Sequence, residues 1–370
     1  MSDSGGVRAD PPSPYPLPPG ERGKTADPLP PGERGNKDAS GKTLRRFFDK
    51  PPGALPPAGA SRGVWSDRIA AAVIRVCAYL AIVSLILIFV FIGKEALPIL
   101  SSEEVRREAD LGTLFLAQPD PEGHQTFAWQ PVSEPPRFSL LPLLVGTLKA
   151  TLVAVLVAIP LSVCAALFTS EFARGLGREV IKPAIEILAG IPSVVVGFFC
   201  LMIVADWLQA AFGWTLRLNA ITAGLGLSLA VIPIVYTVSE DAFTSVPLTY
   251  REGSIAMGAS AWQTAWRVVL PAASPGVLAA CVLGFGRAIG ETMIVLMASG
   301  NAAVLSFSLS DSIRTFSATI AAELGEVVVG SAHYHVLFFI GAFLFVLTFL
   351  SNLAGQWFVG RLQKKLQGAA

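Results

Sequence analysis

The sequence predicts an all-α membrane protein, with six transmembrane helices behind a disordered N-terminal extension. Three observations lead to that class. Hydrophobic residues make up 52% of the 370 positions and charged residues only 15%, whereas a soluble domain is about 25% charged. Mean hydropathy is +0.58, so polar surface would run out before the apolar side chains were covered. Beyond residue 65 the apolar residues gather into six runs, each able to supply the roughly 20 helical residues that a bilayer core of about 30 Å requires. Lys and Arg total 28 against 27 Asp and Glu, a net charge of +1, which lacks the basic excess of a nucleic-acid binder.

Residues 1–63 are rich in Pro, Gly and Ser and hold no apolar run that could form a core, so they are expected to be disordered. The octapeptide PLPPGERG occurs at 16–23 and again at 28–35. Two copies of so short a unit do not build a solenoid; they fit a spacer, with a ligand for an SH3-like partner as the alternative. No apolar stretch of the kind that marks a secretory signal follows the start. GNKDASGKT at 35–43 imitates a phosphate loop, but five residues rather than four separate its first Gly from Gly-Lys, and no strand precedes it.

The six runs lie near 69–93, 142–170, 183–211, 220–244, 276–299 and 334–359. None alternates strictly, and barrel strands would be about half as long. Backbone groups in lipid must be satisfied within the segment, which makes the runs helices. Basic residues near the span ends orient them. Arg45, Arg46, Lys50, Arg62 and Arg68 flank the first run, and Arg361, Lys364 and Lys365 follow the last in a 360–370 tail. Arg174, Arg178 and Lys182 lie in the 171–182 loop, with Arg251 and Arg267 between 245 and 275. These predict cytoplasmic N and C termini. The 94–141 loop, with Glu103, Glu104, Glu108 and Asp110, is then extracytoplasmic and forms a unit with the first span over 65–141.

Cys77, Cys164, Cys200 and Cys281 sit inside apolar runs without CxxC spacing, and read as small buried hydrophobes. His124, His333 and His335 are too scattered for a metal cluster, so no metal or other cofactor is expected. His333 and His335 flank a tyrosine ahead of the last run, which suits a membrane interface.

Three stretches interrupt the membrane pattern. The first, REGSIAMGASAWQTAWRVVLPAASPG at 251–276, is too polar to span. Helical spacing places Ile255, Ala259, Trp262 and Trp266 along one side, with Gly258 mid-helix and Pro271 and Pro275 ending the helix before the fifth span. A mid-helix Gly costs about 1 kcal/mol relative to Ala, so its presence suggests close approach of another backbone; a helix lying on the lipid surface is the other reading. The second is GFGRAIGETMIVLMASGN at 284–301. Arg287 and Glu291 are four apart, on one helix face, in an otherwise apolar run where a charge costs about 2.5–3.5 kcal/mol. Either the guanidinium offers forked donors to an anion, with Glu291 holding it in place, or the two form a structural ion pair. The third is AIEILAGIPSVVVGFF at 184–199, where Gly190, Pro192, Ser193 and Gly197 sit beside Glu186. A helix broken there would line a substrate path; a plain proline kink is the alternative.

The 251–271 stretch resembles the EAA loop of ABC importer permeases, EAA-x3-G-x9-I-x-LP. It reads Glu252, Gly253, Ser254, Gly258, Val268, Leu270 and Pro271 at the matching spacings, with Gly253 and Ser254 in place of the two alanines and Val268 in place of Ile. The runs at 146–173, 188–197, 286–293 and 315–326 are similar to the phosphate-specific permeases, and the last, leading into His333 and Tyr334, to the PstC-type subunit. At Val196 that family would lead one to expect an aromatic residue. The likeness covers about 65–359. It implies a type-1 importer permease core over 142–355. It also implies a PstA-like second permease, two copies of a cytoplasmic ATPase, an extracytoplasmic phosphate-binding protein, and phosphate as the ion carried through the inner membrane. Glu252, Ala256 and Gly258 would then belong to a coupling helix seated in the ATPase. The chain itself would not be an enzyme. A permease for molybdate or sulfate, and an ion-coupled carrier working without an ATPase, are the alternatives.

Overall fold

The computed structural model describes residues 61–119, 123–173 and 175–367. The octapeptide repeat, the GNKDASGKT stretch, Arg45, Arg46, Lys50 and Arg174 lie outside the described residues, as does the end of the tail. Every contact described below lies within residues 76–370.

In chain order the principal helices are α1 (Ser61–Ala96), α2 (Leu141–Glu171), α3 (Leu176–Gly190), α4 (Ser193–Phe212), α5 (Ala220–Thr244), α6 (Leu248–Ala256), α7 (Ala261–Gly290), α8 (Met293–Ala298), α9 (Phe316–Glu323) and α10 (Ala332–Gln367). Among the described residues six helices are long and apolar enough to cross a membrane: α1, α2, α4, α5, α7 and α10. The first begins at Ser61, so residues 61–63 of the expected extension are helical.

The span boundaries differ from the sequence reading at two places. The third run, 183–211, is two helices, because the chain is extended at Ile191 and Pro192. The fifth run is displaced, since α7 starts at Ala261 and ends at Gly290. Pro271 and Pro275 do not end it. A π turn at Ala265–Val269 runs directly into the α-helix that opens with Leu270 and Pro271, absorbing a register change within the helix. Pro275 cannot donate to the carbonyl of Pro271, and Ser274 Oγ donates to that oxygen instead, at 2.7 Å. Replacing the lost bond locally keeps the helix intact where lipid could not satisfy it.

α2 and α5 form the centre. Ala150, Ala154 and Ala158 of α2 share a buried cluster with Ala220, Ala223 and Leu227 of α5. A Cβ placed on Gly224 would stand 2.5 Å from the Val153 side chain, so only glycine permits this approach. Helices in lipid gain little from burying apolar surface against one another, and small residues let van der Waals contact hold them. α7, α4 and α8 complete this cluster through Ala280, Ala288, Val196, Cys200, Ile294 and Val295.

α1 stands apart from the centre and leans on α10 through edge-on rings, Phe89 with Phe345 and Phe91 with Phe338. The loop joining α1 to α2 is folded. It carries short helical turns, one opened by an Asp110–Thr113 capping box, and two antiparallel two-residue strand pairs. Leu114, Trp129 and Phe138 bury there with Phe316, Val336 and Leu337. α10 has 36 residues, a length of about 54 Å at 1.5 Å per residue, well beyond a bilayer core of about 30 Å. Its last turns carry Arg361, whose guanidinium lies 3.7 Å from the Trp357 ring centre.

Candidate functional site

The charged pair sits where a membrane helix breaks. α7 ends at Gly290, Glu291 is extended at φ −72°, ψ 133°, and the helix resumes only at Met293. Arg287 and Glu291 are therefore not on one continuous helical face, contrary to the spacing argument. Arg287 is in the last turn of α7 and Glu291 is its cap, yet the side chains meet at 3.3 Å, Nη2 to Oε2. The carboxylate side chain is 7% exposed and the guanidinium 49%. A cation in a last turn also suits the negative end of the helix dipole. The break is built into the fold: Ser317 Oγ of α9 donates to the Glu291 carbonyl at 2.9 Å, supplying a partner the interrupted helix lacks.

The second break lies between α3 and α4. Gly190 ends α3, Pro192 caps α4 and Ser193 opens it. Gly190 and Pro192 are exposed and Ser193 is partly buried. Gly197 does not interrupt α4. A Cβ built on it would lie 3.2 Å from both the Met293 carbonyl and Ile294 Cα of α8. That contact lies about one turn beyond Ser193 and half a turn beyond Glu291, so it ties the two breaks together. Val196 is buried. Glu186 is exposed on α3.

The polar stretch after α5 is not one helix. α6 ends at Ala256, and Gly258 takes φ +86°. Gly258 N–H donates to the Ile255 carbonyl and Ala259 N–H to that of Ser254, the pair of bonds that closes a helix on a left-handed residue. Gly258 is thus there for its backbone, not for close packing: nothing lies within 4 Å of where its Cβ would be. Ile255 and Trp262 accordingly sit on separate helices. Glu252, Ala256 and Gly258 are exposed. Leu270 packs instead with the Phe243, Val246 and Val269 cluster, and Pro271 follows it where the π turn gives way to α-helix.

Several charged residues hold these parts in place through pairings that the sequence reading did not give. Arg251 anchors α6: Nη2 donates to Glu171 Oε1 at 2.8 Å and to the Phe243 carbonyl at 2.8 Å, and Nε donates to the same carboxylate at 3.1 Å. Lys182 of α3 reaches the buried Glu240 of α5 at 3.0 Å, and that hydrogen bond holds its ammonium above the usual lysine range. Lys149 of α2, itself buried, donates to the Ser306 carbonyl. Glu323 gathers Arg314, His333 and the Trp129 indole. Burial pushes its carboxyl up, but the hydrogen bonds from His333 and Trp129 and the charge of Arg314 outweigh burial and hold it below the ordinary carboxylate range. Lys149 and Glu240 were open to the criterion that picked out Arg287, a charge inside an apolar run.

Six membrane-length helices among the described residues, with a charged pair where α7 ends, describe a multi-pass membrane protein. Residues 158–368 match the model of the binding-protein-dependent transport system inner membrane component. The chain belongs to that family, and it is a permease subunit of an ABC importer. A probable ABC transporter permease of Bacillus subtilis is 36% identical over 234 residues, 63% of this chain and 75% of that protein. A phosphate transport system permease protein, PstC 1, of Mycobacterium tuberculosis is 34% identical over 249 residues, 61% of this chain and 74% of that one. Among solved structures, a bacterial ABC transporter that imports the polysaccharide alginate shares the fold, with a TM-score of 0.55 at 14% identity over 80% of this chain and 98% of that one.

Proposed function

We propose that this chain is the PstC-type membrane subunit of an ATP-driven phosphate importer. It works beside a PstA-like permease, two copies of a cytoplasmic ATPase and an extracytoplasmic phosphate-binding protein. The observation that carries the reading is the Arg287–Glu291 pair at the α7 break, with the guanidinium half-exposed on the isolated chain. A path between two permease subunits would be lined by residues that look exposed when one subunit stands alone. Arg287 would then give a dehydrated phosphate a forked partner. Glu291, anchored by α9, would neutralise the cation when the path is empty. Binding at such a point must stay weak enough for release. The phosphate transport permeases among the relatives support the choice of anion.

In this reading the exposed surface of Glu252, Ala256 and the Gly258 turn receives the ATPase, with both chain termini on the same, cytoplasmic side. Closure of the ATPases shifts the population between outward-open and inward-open states. Gly190, Pro192 and Ser193, at the other break, line the same path. Uptake of labelled phosphate into proteoliposomes holding the full complex is the test. Uptake that requires ATP and the ATPase, and that excess molybdate or sulfate leaves unchanged, supports the reading. Uptake abolished by either competitor, or independent of the ATPase, defeats it.

A further inference from the structure

We infer that Arg251 and Glu171 form the mechanical joint through which the α6 surface moves α2. This rests on the reading of α6 as the ATPase-docking helix and adds the route by which its motion enters the membrane.

α6 could have been a loose loop, since none of its residues is buried and its N-cap, Pro247, makes no side-chain capping bond. It is not loose, because one guanidinium closes three elements. Arg251 is on α6, Glu171 is the last residue of α2, and the Phe243 and Val246 carbonyls belong to the end of α5 and the turn after it. The pair is largely shielded, with side-chain exposures of 16% for Arg251 and 10% for Glu171. Ser170 Oγ donates to the same carboxylate at 3.0 Å, which fixes the acceptor further. A shielded, multiply bonded guanidinium of this kind keeps its geometry under load, unlike a solvated surface pair.

A second contact runs in parallel. Phe172, next to Glu171, sets its ring 6.0 Å from Trp262 at the start of α7, and Ser254 of α6 shares a 2.9 Å hydrogen bond with Thr264. The α6 and α7 ends therefore meet the foot of α2 as one body. α2 in turn is the partner on which α5 closes through the Ala150–Ala223 cluster and Gly224. Packed helices of this kind transmit displacement because their interfaces do not deform continuously. Arg251 is a positioning residue here, acting through Glu171 and the α5 carbonyl.

The test uses the whole complex in proteoliposomes and reads substrate imported per ATP hydrolysed. Glu171→Gln keeps the shape and one acceptor but loses the charge, Glu171→Ala removes the partner, and Glu171→Asp keeps the charge. The inference expects Gln and Ala to retain the assembled complex and its ATP hydrolysis while import per ATP falls about tenfold, the size of an ordinary coupling between sites. Asp restores most of it. An unchanged ratio in Glu171→Ala overturns the joint. Loss of the assembled complex in both Gln and Ala variants also overturns it, by making the pair a folding element. Failure of the underlying reading looks different, because the wild-type chain would then not retain the ATPase at all.

Discussion

A guanidinium and a carboxylate placed in hydrocarbon need partners, and here the fold supplies them unequally. Glu291 is buried and its carbonyl is taken by Ser317, while Arg287 is left half-exposed. On the proposed reading, that asymmetry leaves the guanidinium open to an anion, which a closed structural pair would not. Arg287→Ala is expected to lower phosphate uptake about 10- to 100-fold, since a hydrogen bond to a charged group contributes about 1.5–3 kcal/mol. Membrane insertion and basal ATP hydrolysis should persist, as assayed on the purified complex; normal uptake would sink the anion-site reading. Glu323 gives a second expectation. Its folded carboxyl is held low, so its contribution is fully present above the unfolded carboxylate range and disappears as pH falls through the folded value. The thermal unfolding midpoint of Glu323→Gln in detergent should lie below that of the wild type near neutrality. The gap should close on acidification, and a gap that widens in acid would contradict the assignment.

The helices show what apolar run length does and does not say. Six runs long enough to span were legible, because the need to satisfy backbone bonds in lipid depends on composition alone. Where a helix stops within such a run was less legible. The break at Ile191–Pro192 had a local cause and could be foreseen from Gly190 and Pro192. The break at Glu291 takes a remote partner, a hydroxyl 26 residues further on, and periodicity carries no trace of it. Gly258 was misread for the opposite reason. Its meaning is local, a left-handed closure of α6, but helical spacing on either side disguised the stop. This changes the design of a docking test. Gly258→Trp would strain the turn whatever the ATPase does, whereas Ala256→Trp adds bulk on an exposed helical position without that strain. Ala256→Trp should reduce ATPase co-purification at least severalfold with the permease still inserted. Full recovery of the ATPase would mean that this face of α6 is not the docking surface.

For the molecule as a whole, the distribution of charge about the spans bears on orientation. Arg251 and Lys182 stand at the ends of α2, α5 and α7 that carry α6, and Arg361 lies in the last turns of α10. If that side is cytoplasmic, a reporter active only in the cytoplasm should work when fused after residue 367 and fail when fused within the 103–108 turn; the reverse pattern would place α6 out of reach of an ATPase. The PstC-like resemblance and the family match agree over the core, and the likeness to the alginate importer extends only to the fold. Composition and run length were enough to give the class of protein, the number of spans and the residues whose charge has no ordinary place in lipid, because each depends on transfer from water to hydrocarbon residue by residue. Which of those charges are paired, where α7 breaks and how α6 is fastened to α2 could not be read that way. They arise from groups such as Ser317 and Glu291, or Arg251 and Glu171, that are distant along the chain and meet only when the helices pack.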